Sequence, residues 1–252
     1  MSAKVTIITP TYNKPDYFIE CAKSVLDQTY QDWVWWVVYN FDYGTINPKY
    51  WDICADDSRI LPIYYPMLPE FRPLRHWPAR IVNWLYPKVQ TPYIYFLADD
   101  DLIDRDGLGV LVKEAKPQKR LVPERGDFGF GPSIELSKPQ YDAVYGRCEV
   151  QDEQPDGTFK TGCWCYEGQD VGLNTSIDPD CRLDSSQILH TKSLWDRATA
   201  DGWQLSDKLE DAGHADGLLL NRLAQFATFH YVPQRINIHR RTKLSSWHKP
   251  QV

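Results

Sequence analysis

Short apolar segments flank an amphipathic segment near the N-terminus, and this alternation limits the fold more than any other feature. Residues 4–9 (KVTIIT) and 33–39 (WVWWVVY) have the β-branched and aromatic composition of strands, and the second is apolar on both faces. Between them, DYFIECAKSVLDQ places Phe18, Ala22 and Val25 at helical spacing. Apolar strands that alternate with helices are typical of a parallel sheet covered on both sides. We therefore predict an α/β fold.

The third predicted strand, residues 93–97 (YIYFL), is followed closely by the adjacent aspartates Asp99, Asp100 and Asp101. Carboxylates this close repel one another, and a divalent cation would offset the repulsion because hard cations prefer carboxylate oxygens. A solvated acidic loop with an N-cap aspartate would also account for them. Ligands of open α/β sheets bind at the carboxyl ends of the strands, and this position favours the metal site.

Beyond the third strand, the same patterns predict further helices and strands. Residues 40–75 read as irregular, and residues 116–140, rich in proline and glycine, are expected to form a long loop. The remaining predicted elements are strands over 141–151 and 158–166 and helices around 78–85, within 185–200 and over 213–227.

Composition excludes some classes of protein. The 252 residues carry a net charge of −6, which argues against broad nonspecific nucleic-acid binding because that requires a basic face. The sequence has no apolar run long enough for a membrane span and no recognisable secretory signal, so a cytoplasmic protein is expected. The six cysteines are scattered along the chain, and we expect reduced thiols.

Several segments in order resemble one family, the family-two glycosyltransferases of the GT-A fold. The segments are VTIITPTYNKPDYFIECAKSVLDQTYQDWVWWVV, ADDSRILPIYY, Asn83 with TPYIYFLADDDLI, and a late helix with Asp216 and Arg222 before a basic end. The resemblance implies a Rossmann-like, mostly parallel sheet with helices on both faces and a smaller acceptor-side region. Residues 1–105 would form the nucleotide-sugar half, and residues 106–252 the acceptor half, of a single domain.

The resemblance also assigns roles around the acidic run. It implies that Asp100 binds Mn²⁺ or Mg²⁺ and that Asp99 contacts the ribose of the donor nucleotide, while we interpret Asp101 as a cap of the following segment. The basic C-terminal segment would be a loop over the diphosphate. There His239 would be a further metal ligand, and Arg240 or Arg241 would contact phosphate.

The nucleotide pocket is implied by the segments that follow the first two strands. Thr9, Pro10 and Tyr12 would line it, and Tyr12 would stack on the base. Where the family has aspartates, this chain has VVYNFDYGT, so Asn40 and Asp42 are the candidates for base contact. UDP is the commonest donor nucleotide in the family, and dTDP or GDP stays open. The cationic candidates for phosphate on this side are Arg75 and Arg80.

For catalysis, the resemblance implies an inverting displacement in which an acid near the start of the last helix deprotonates the acceptor hydroxyl. Register from Arg222 indicates Asp216, with Ala215 where the family often has a first acid. The alternative bases are Glu210, Asp211 and His214. The candidate acceptor contacts are Asp184, Ser185, Ser186 and the tryptophans Trp164, Trp195, Trp203 and Trp247.

Three functions stay open at this point. The leading interpretation is transfer of a sugar from a nucleoside-diphosphate sugar to a hydroxyl of a glycan, a lipid-linked sugar, a protein or, less readily, a nucleobase. A catalytically degenerate module that binds sugar or a partner is the second, because the first acid is absent at Ala215. A sugar-1-phosphate nucleotidyltransferase is disfavoured, since TPTYNKP lacks the glycines of a triphosphate loop.

Overall fold

The computed structural model confirms an α/β protein built around one large mixed sheet. It describes residues 4–12, 14–39, 52–53, 55–65, 77–115, 119–122, 133–136, 141–165, 171–172, 183–206, 208 and 215–243. The strands are β1 (Val5–Thr11), β2 (Trp33–Tyr39), β3 (Ile60–Tyr64), β4 (Tyr93–Phe96), β5 (Leu102–Ile103), β6 (Lys119–Val122), β7 (Ser133–Leu136), β8 (Ala143–Glu153), β9 (Phe159–Cys165), β10 (Val171–Gly172), β11 (Ile188–Thr191) and β12 (Thr228–Arg241). The helices are α1 (Pro15–Leu26), α2 (Trp77–Leu85), α3 (Gly107–Ala115), α4 (Lys192–Ala198) and α5 (Ala215–Ala224).

The first four strands form the parallel half of the sheet that the apolar segments predicted. Their order is β4-β1-β2-β3, and every neighbouring pair is parallel. Strand β11 continues the sheet from β4 in the antiparallel direction, followed by β8, β12 and β10. Because β8 is antiparallel to β11 and parallel to β12, both β8 and β12 run in the same direction as β1 to β4. The carboxyl ends of β1 and β4 therefore lie at one edge, beside the C-terminal half.

Helices cover both faces of the sheet, as predicted. On one face, Phe18 of α1 and Leu108 of α3 pack with Val5 and Ile7 of β1. On the other face lie α2, α4 and α5, whose apolar residues pack with Ile8 of β1. Alternate residues of the buried strand β1 thus enter two separate cores, which is why its sequence has no polar face.

Two expectations about local structure were wrong. Within the expected loop 116–140, β6 and β7 form an antiparallel pair. The region expected to be irregular contains β3, whose pairing with β2 depends on tertiary contact rather than on its own propensity. The helix expected within 185–200 is confirmed as Lys192–Ala198, and β11 precedes it.

The basic C-terminal segment was also misinterpreted as a loop through Arg241. It is the end of β12, which extends to Arg241 because residues 238–241 pair with residues 149–152 of β8. Among the described residues, Cys21, Cys148 and Cys163 are free thiols, as expected. In this part of the chain no helix is long and apolar enough to cross a membrane.

Candidate active site

The acidic run lies where the two halves of the sheet meet. Asp99 and Asp100 form a turn after β4, and β5 follows immediately. Strand β5 pairs antiparallel with β12, joining Ile103 to Asn237 and Leu102 to Ile238. Continuing this register places His239 opposite Asp101. The pairing of two residues therefore brings a histidine from the C-terminal strand to the acidic run.

Asp99 and Asp100 are buried carboxylates bound by donors from both ends of the chain. Thr11 Oγ1 donates to Asp99 Oδ2 at 2.8 Å, and the Tyr12 amide donates to the same oxygen at 3.3 Å. Lys14 Nζ lies 2.6 Å from Asp100 Oδ2, and Thr242 Oγ1 donates to that oxygen at 3.2 Å. Burial raises the pKa of Asp99 to about 6, against the opposing effect of Lys14. These contacts hold both carboxylates at the carboxyl ends of β1 and β4.

We had expected Asp101 to cap the following segment, but its carboxylate binds residues of β12 instead. Its Oδ1 accepts the Arg240 amide at 2.9 Å, and His239 Nδ1 lies 3.2 Å from Oδ2. The antiparallel β5–β12 pair turns the side chain toward β12, which is the physical reason for the correction. Only 1% of Asp101 is exposed, so its carboxylate needs such partners.

Asp184 completes a cluster with Asp101 and His239. Its Oδ2 lies 3.5 Å from His239 Nδ1, and one ligand atom from each of the three residues lies within 4.8 Å of the others. Burial alone would lower the pKa of His239, but the carboxylates of Asp101 and Asp184 raise it well above its usual value. Two carboxylates and an imidazole are donors that suit a divalent ion such as Mn²⁺. The chain can therefore hold a metal here.

A hydrogen-bond chain orients the Asp184 carboxylate. Asn237 Nδ2, fully buried on β12, donates to Ser186 Oγ at 2.7 Å, and the Ser186 hydroxyl donates to Asp184 Oδ1. The Ser186 amide donates to the same Oδ1 at 2.7 Å, and Gln187 closes a capping box with the Asp184 amide. Asp184 was predicted as an acceptor contact, and no pattern in its local sequence predicts that it lies beside His239.

Asp216 lies in the first turn of α5, close to this cluster. Burial raises the pKa of its carboxylate to about 7, and the neighbouring charge of Asp184 contributes to the increase. A hydrogen bond from Ser185 and the proximity of His239 act in the opposite direction. A carboxyl group with a pKa near neutrality at the end of a sheet has the properties of a general base.

Two predicted phosphate contacts make bonds within the protein instead. The Arg240 guanidinium is 1% exposed, donates through Nε to the Asp100 carbonyl, and pairs with Glu20. Arg241 pairs with Asp152, with Nη2 donating to Oδ2 at 2.7 Å. Both residues lie at the end of β12. Their contact with a phosphate stays a prediction.

The remaining predicted residues are more dispersed. Thr9 is buried and accepts a hydrogen bond from Trp35 Nε1 at 2.9 Å, Pro10 is buried in β1, and Arg80 lies on α2. Trp195 is buried in the core, while Trp203 is half-buried with its ring centroid 6.4 Å from that of Trp195. The predictions that lie outside the described residues or side chains concern Asn40, Asp42, Arg75, Trp164, Glu210, Asp211, His214 and Trp247.

Comparison with known proteins gives the class. The model of the family "Glycosyl transferase family 2" matches residues 6–130, the stretch that contains β1 to β4 and the acidic run. Together with this fold, the match identifies the family that the sequence resembled: the chain belongs to glycosyltransferase family 2 and has the GT-A fold.

One curated relative is Protein CgeD of Bacillus subtilis (strain 168). It is 24% identical over 233 residues, which cover 91% of this chain and 48% of CgeD. The chain thus spans about half the length of this relative.

Two solved structures illustrate the shared fold. S. aureus TarS 1–349 in complex with UDP-GlcNAc superposes with a TM-score of 0.62 at 12% identity, covering 99% of this chain and 62% of that one. The mannosyltransferase PcManGT from Pyrobaculum calidifontis, in complex with GDP-Man and Mn²⁺, gives 0.56 at 12% identity, covering 95% and 57%.

Proposed function

We propose that this chain transfers a sugar from a nucleoside-diphosphate sugar to an acceptor hydroxyl, with inversion at the anomeric carbon and with the help of a divalent metal. The observation that carries the proposal is that Asp184 belongs to a cluster able to bind metal and that its charge also helps raise the pKa of the Asp216 carboxyl group to about 7. A displacement of this kind needs a cation at the leaving group and a base at the nucleophile.

The residues divide into two roles. Asp101, Asp184 and His239 would hold the metal, which when bound would neutralise charge developing on the leaving diphosphate. Asp216 would accept the proton of the acceptor hydroxyl, because its raised pKa makes it a stronger base than an ordinary aspartate. Asp99, fixed by Thr11 and Tyr12, remains the proposed ribose contact.

The donor is proposed from the neighbours. Structures with the same fold contain UDP-GlcNAc or GDP-Man with Mn²⁺, so the donor is proposed to be a nucleoside-diphosphate sugar with Mn²⁺ or Mg²⁺ as the metal. These two neighbours carry different bases, and both UDP and GDP belong in the assay. The acceptor remains a glycan, a lipid-linked sugar, a protein or a nucleobase.

The test is the Asp216→Asn variant, which keeps the shape of the side chain and removes the base. We expect turnover to fall by about 10² to 10⁴-fold while the donor dissociation constant stays within about threefold, as for loss of general-base catalysis. Asp196→Asn is the matched control, because Asp196 is an exposed carboxylate that pairs only locally with Lys192.

Loss of donor binding in Asp216→Asn would contradict the base assignment, since the residue would then hold the donor. Donor binding without turnover of any acceptor in the wild type would favour the second function, a degenerate sugar-binding module. The experiment includes this alternative because Ala215 stands where the family often has an acid.

A further inference from the structure

The sheet ends at β3, a strand that contains a proline. One side of β3 (Ile60–Tyr64) pairs with β2, and in the part of the chain that the structure describes no strand pairs with its other side. Leu61 is 44% exposed, Tyr64 is 41% exposed, and Pro62 between them is exposed as well. An exposed apolar edge strand is a template on which a strand of another chain can pair. Association at the open side of β3 is therefore expected unless some feature of the strand prevents it.

Hydrogen bonds to β2 show which residues of β3 face the open side. The Trp35 amide donates to the Arg59 carbonyl at 2.8 Å, and the Tyr65 amide donates to the Tyr39 carbonyl at 3.0 Å. In a strand the amide and the carbonyl of one residue point to the same side, and that side alternates from each residue to the next. The odd-numbered residues of 59–65 therefore bond to β2, and the even-numbered residues face the open side.

Two successive positions on the open side offer no hydrogen-bond donor. The Ile60 amide is used within the chain, since it donates to the Asp57 carbonyl at 2.9 Å. Pro62 has no amide hydrogen. At an odd-numbered position a proline would remove a bond to β2, whereas at position 62 it removes a donor from the open side alone. A strand that added here would consequently find no donor for its own carbonyls at Ile60 and Pro62.

The remaining residues of β3 favour pairing. The sequence ILPIY contains no charged side chain, and apart from the proline its composition is that of strands that pair readily. Two copies of one edge are complementary when they pair antiparallel about a twofold axis, so a second copy of this chain is the partner that the edge fits. We propose that Pro62, with the Asp57–Ile60 bond, closes the open edge of β3 to pairing with β3 of a second copy. This closure does not depend on the reaction proposed above.

The test restores the missing donor with Pro62→Thr, because threonine supplies an amide hydrogen and suits a strand. Sedimentation velocity over a range of protein concentrations measures association of the full chain. Pro62→Thr is expected to self-associate at least about tenfold more tightly than the wild type, a difference of about 1.4 kcal/mol. Pro62→Ala also restores the donor and should shift association in the same direction. Thermal unfolding of each variant checks that it is folded.

Pro155→Thr is the matched control. Pro155 is exposed in the turn between β8 and β9, where the Gly157 amide donates to the Gln154 carbonyl, and it belongs to that turn rather than to a strand. In the Pro62→Thr background, Leu61→Lys should reverse the gained association, because a lysine on an edge strand opposes pairing. Hydrogen exchange followed by mass spectrometry locates the contact, and residues 59–65 of Pro62→Thr should become protected as the protein concentration rises.

Equal association of the wild type, Pro62→Thr and Pro62→Ala would overturn the proposal. A gain in association that Pro155→Thr reproduces, or one without protection of residues 59–65, would also contradict it. Protection of these residues in the concentrated wild type would show that the edge already pairs despite the proline, which is likewise incompatible with closure.

Discussion

The chemical properties of single residues in the site depend on how deeply they are buried and on which charges lie beside them. Asp216 is at the start of a helix, where an acid is ordinarily stabilised by the helix dipole. Here burial and Asp184 dominate and raise its pKa to about 7. The same sequence position would be an unremarkable carboxylate if α5 did not pack against the loop that carries Asp184 and Ser185.

This pKa predicts the pH dependence of turnover. Asp216 acts as a base only when ionised, so kcat/KM should fall as the pH drops through about 7, by about tenfold per unit below it. The measurement is a pH–rate profile at saturating Mn²⁺. An acid limb centred near pH 4 would indicate that Asp216 is solvated or is not the base.

His190 predicts a pH dependence of stability. It is 5% exposed, and burial lowers the pKa of its imidazole to about 4, from an ordinary value of 6.5. The unfolded chain therefore binds the proton more readily, and the free energy of unfolding should decrease as pH falls from 6.5 to 4, by up to about 3 kcal/mol.

Denaturant titrations of wild type and His190→Phe at several pH values test this. Phenylalanine keeps a ring beside Tyr86, whose centroid lies 5.7 Å from that of His190. The difference in slope between the two proteins isolates His190 from Asp216, whose raised pKa acts in the opposite direction. Parallel curves would contradict the assignment.

Elements of the C-terminal half depend on close approach between β8 and β12. At Gly146 of β8, an added Cβ would lie 2.2 Å from Ile236 Cγ1 and 2.7 Å from the Gln234 carbonyl oxygen. The register of the pair shifts between Val232 and Asn237, so β12 is irregular at this point. Glycine is required here because the bulged backbone leaves no room for a side chain.

Gly146→Ala should therefore reduce the free energy of unfolding by about 1–3 kcal/mol, the usual effect of overpacking a core. Gly109→Ala in α3 is the matched control. Its Cβ would make ordinary contacts, with Tyr30 Cβ at 3.6 Å, and alanine should stabilise the helix by up to about 1 kcal/mol. Equal effects of the two substitutions would show that β8 and β12 are less closely packed than described.

Arg240 and Arg241, neighbours on β12, allow a test of how the strand is used. Arg240 is buried and donates to the carbonyls of Asp100 and Tyr17, whereas Arg241 pairs with Asp152 at a more exposed position. Arg240→Met should cost about 2–3 kcal/mol of stability because it leaves buried acceptors unpaired, and Arg241→Met less than about 1 kcal/mol.

Denaturant unfolding and donor titration of both variants distinguish structure from ligand contact. If Arg240 chiefly binds phosphate, its loss would weaken donor binding with little change in stability. That outcome would contradict the structural role described for Arg240.

An element of the fold was predictable from the sequence when its own residues carry the pattern, and not when it forms only by pairing with a distant strand. The apolar strands β1, β2 and β4 and the helix α1 carry their periodicity locally, so their pattern predicted them. Strand β3 and the end of β12 form because they pair with β2 and β8, which are distant in sequence. The basic residues of β12 were predicted to form a loop because their charge is visible in the sequence, whereas their pairing with β8 is not.

The site was predictable to the same degree. Asp216 and His239 were named from the family register, and the structure brings both close to the acidic run. The cluster of Asp101, Asp184 and His239 depends on the β5–β12 register and on a capped turn at Asp184, which no local pattern encodes. Sequence reasoning consequently did not predict that Asp101 would lie in this cluster.

At the scale of the whole molecule, the site is the junction between a parallel half and a half built on β8 and β12. The parallel half supplies the acidic run and Lys14. The other half supplies His239 on β12 and Asp216 on α5, and the turn at Asp184 lies between them. The division at residue 105 stays a prediction, and the continuous sheet joins the residues on either side of it.

The most direct test of the central claim is calorimetric titration with UDP-GlcNAc and GDP-Man, each with Mn²⁺ and with EDTA, in the wild type and in Asp101→Asn. The account predicts that one of these donors binds with Mn²⁺ and that binding weakens at least about tenfold, a difference of about 1.4 kcal/mol, with EDTA or in the variant. Donor binding of equal strength in all conditions would contradict a metal-assisted transfer centred on Asp101, Asp184 and His239.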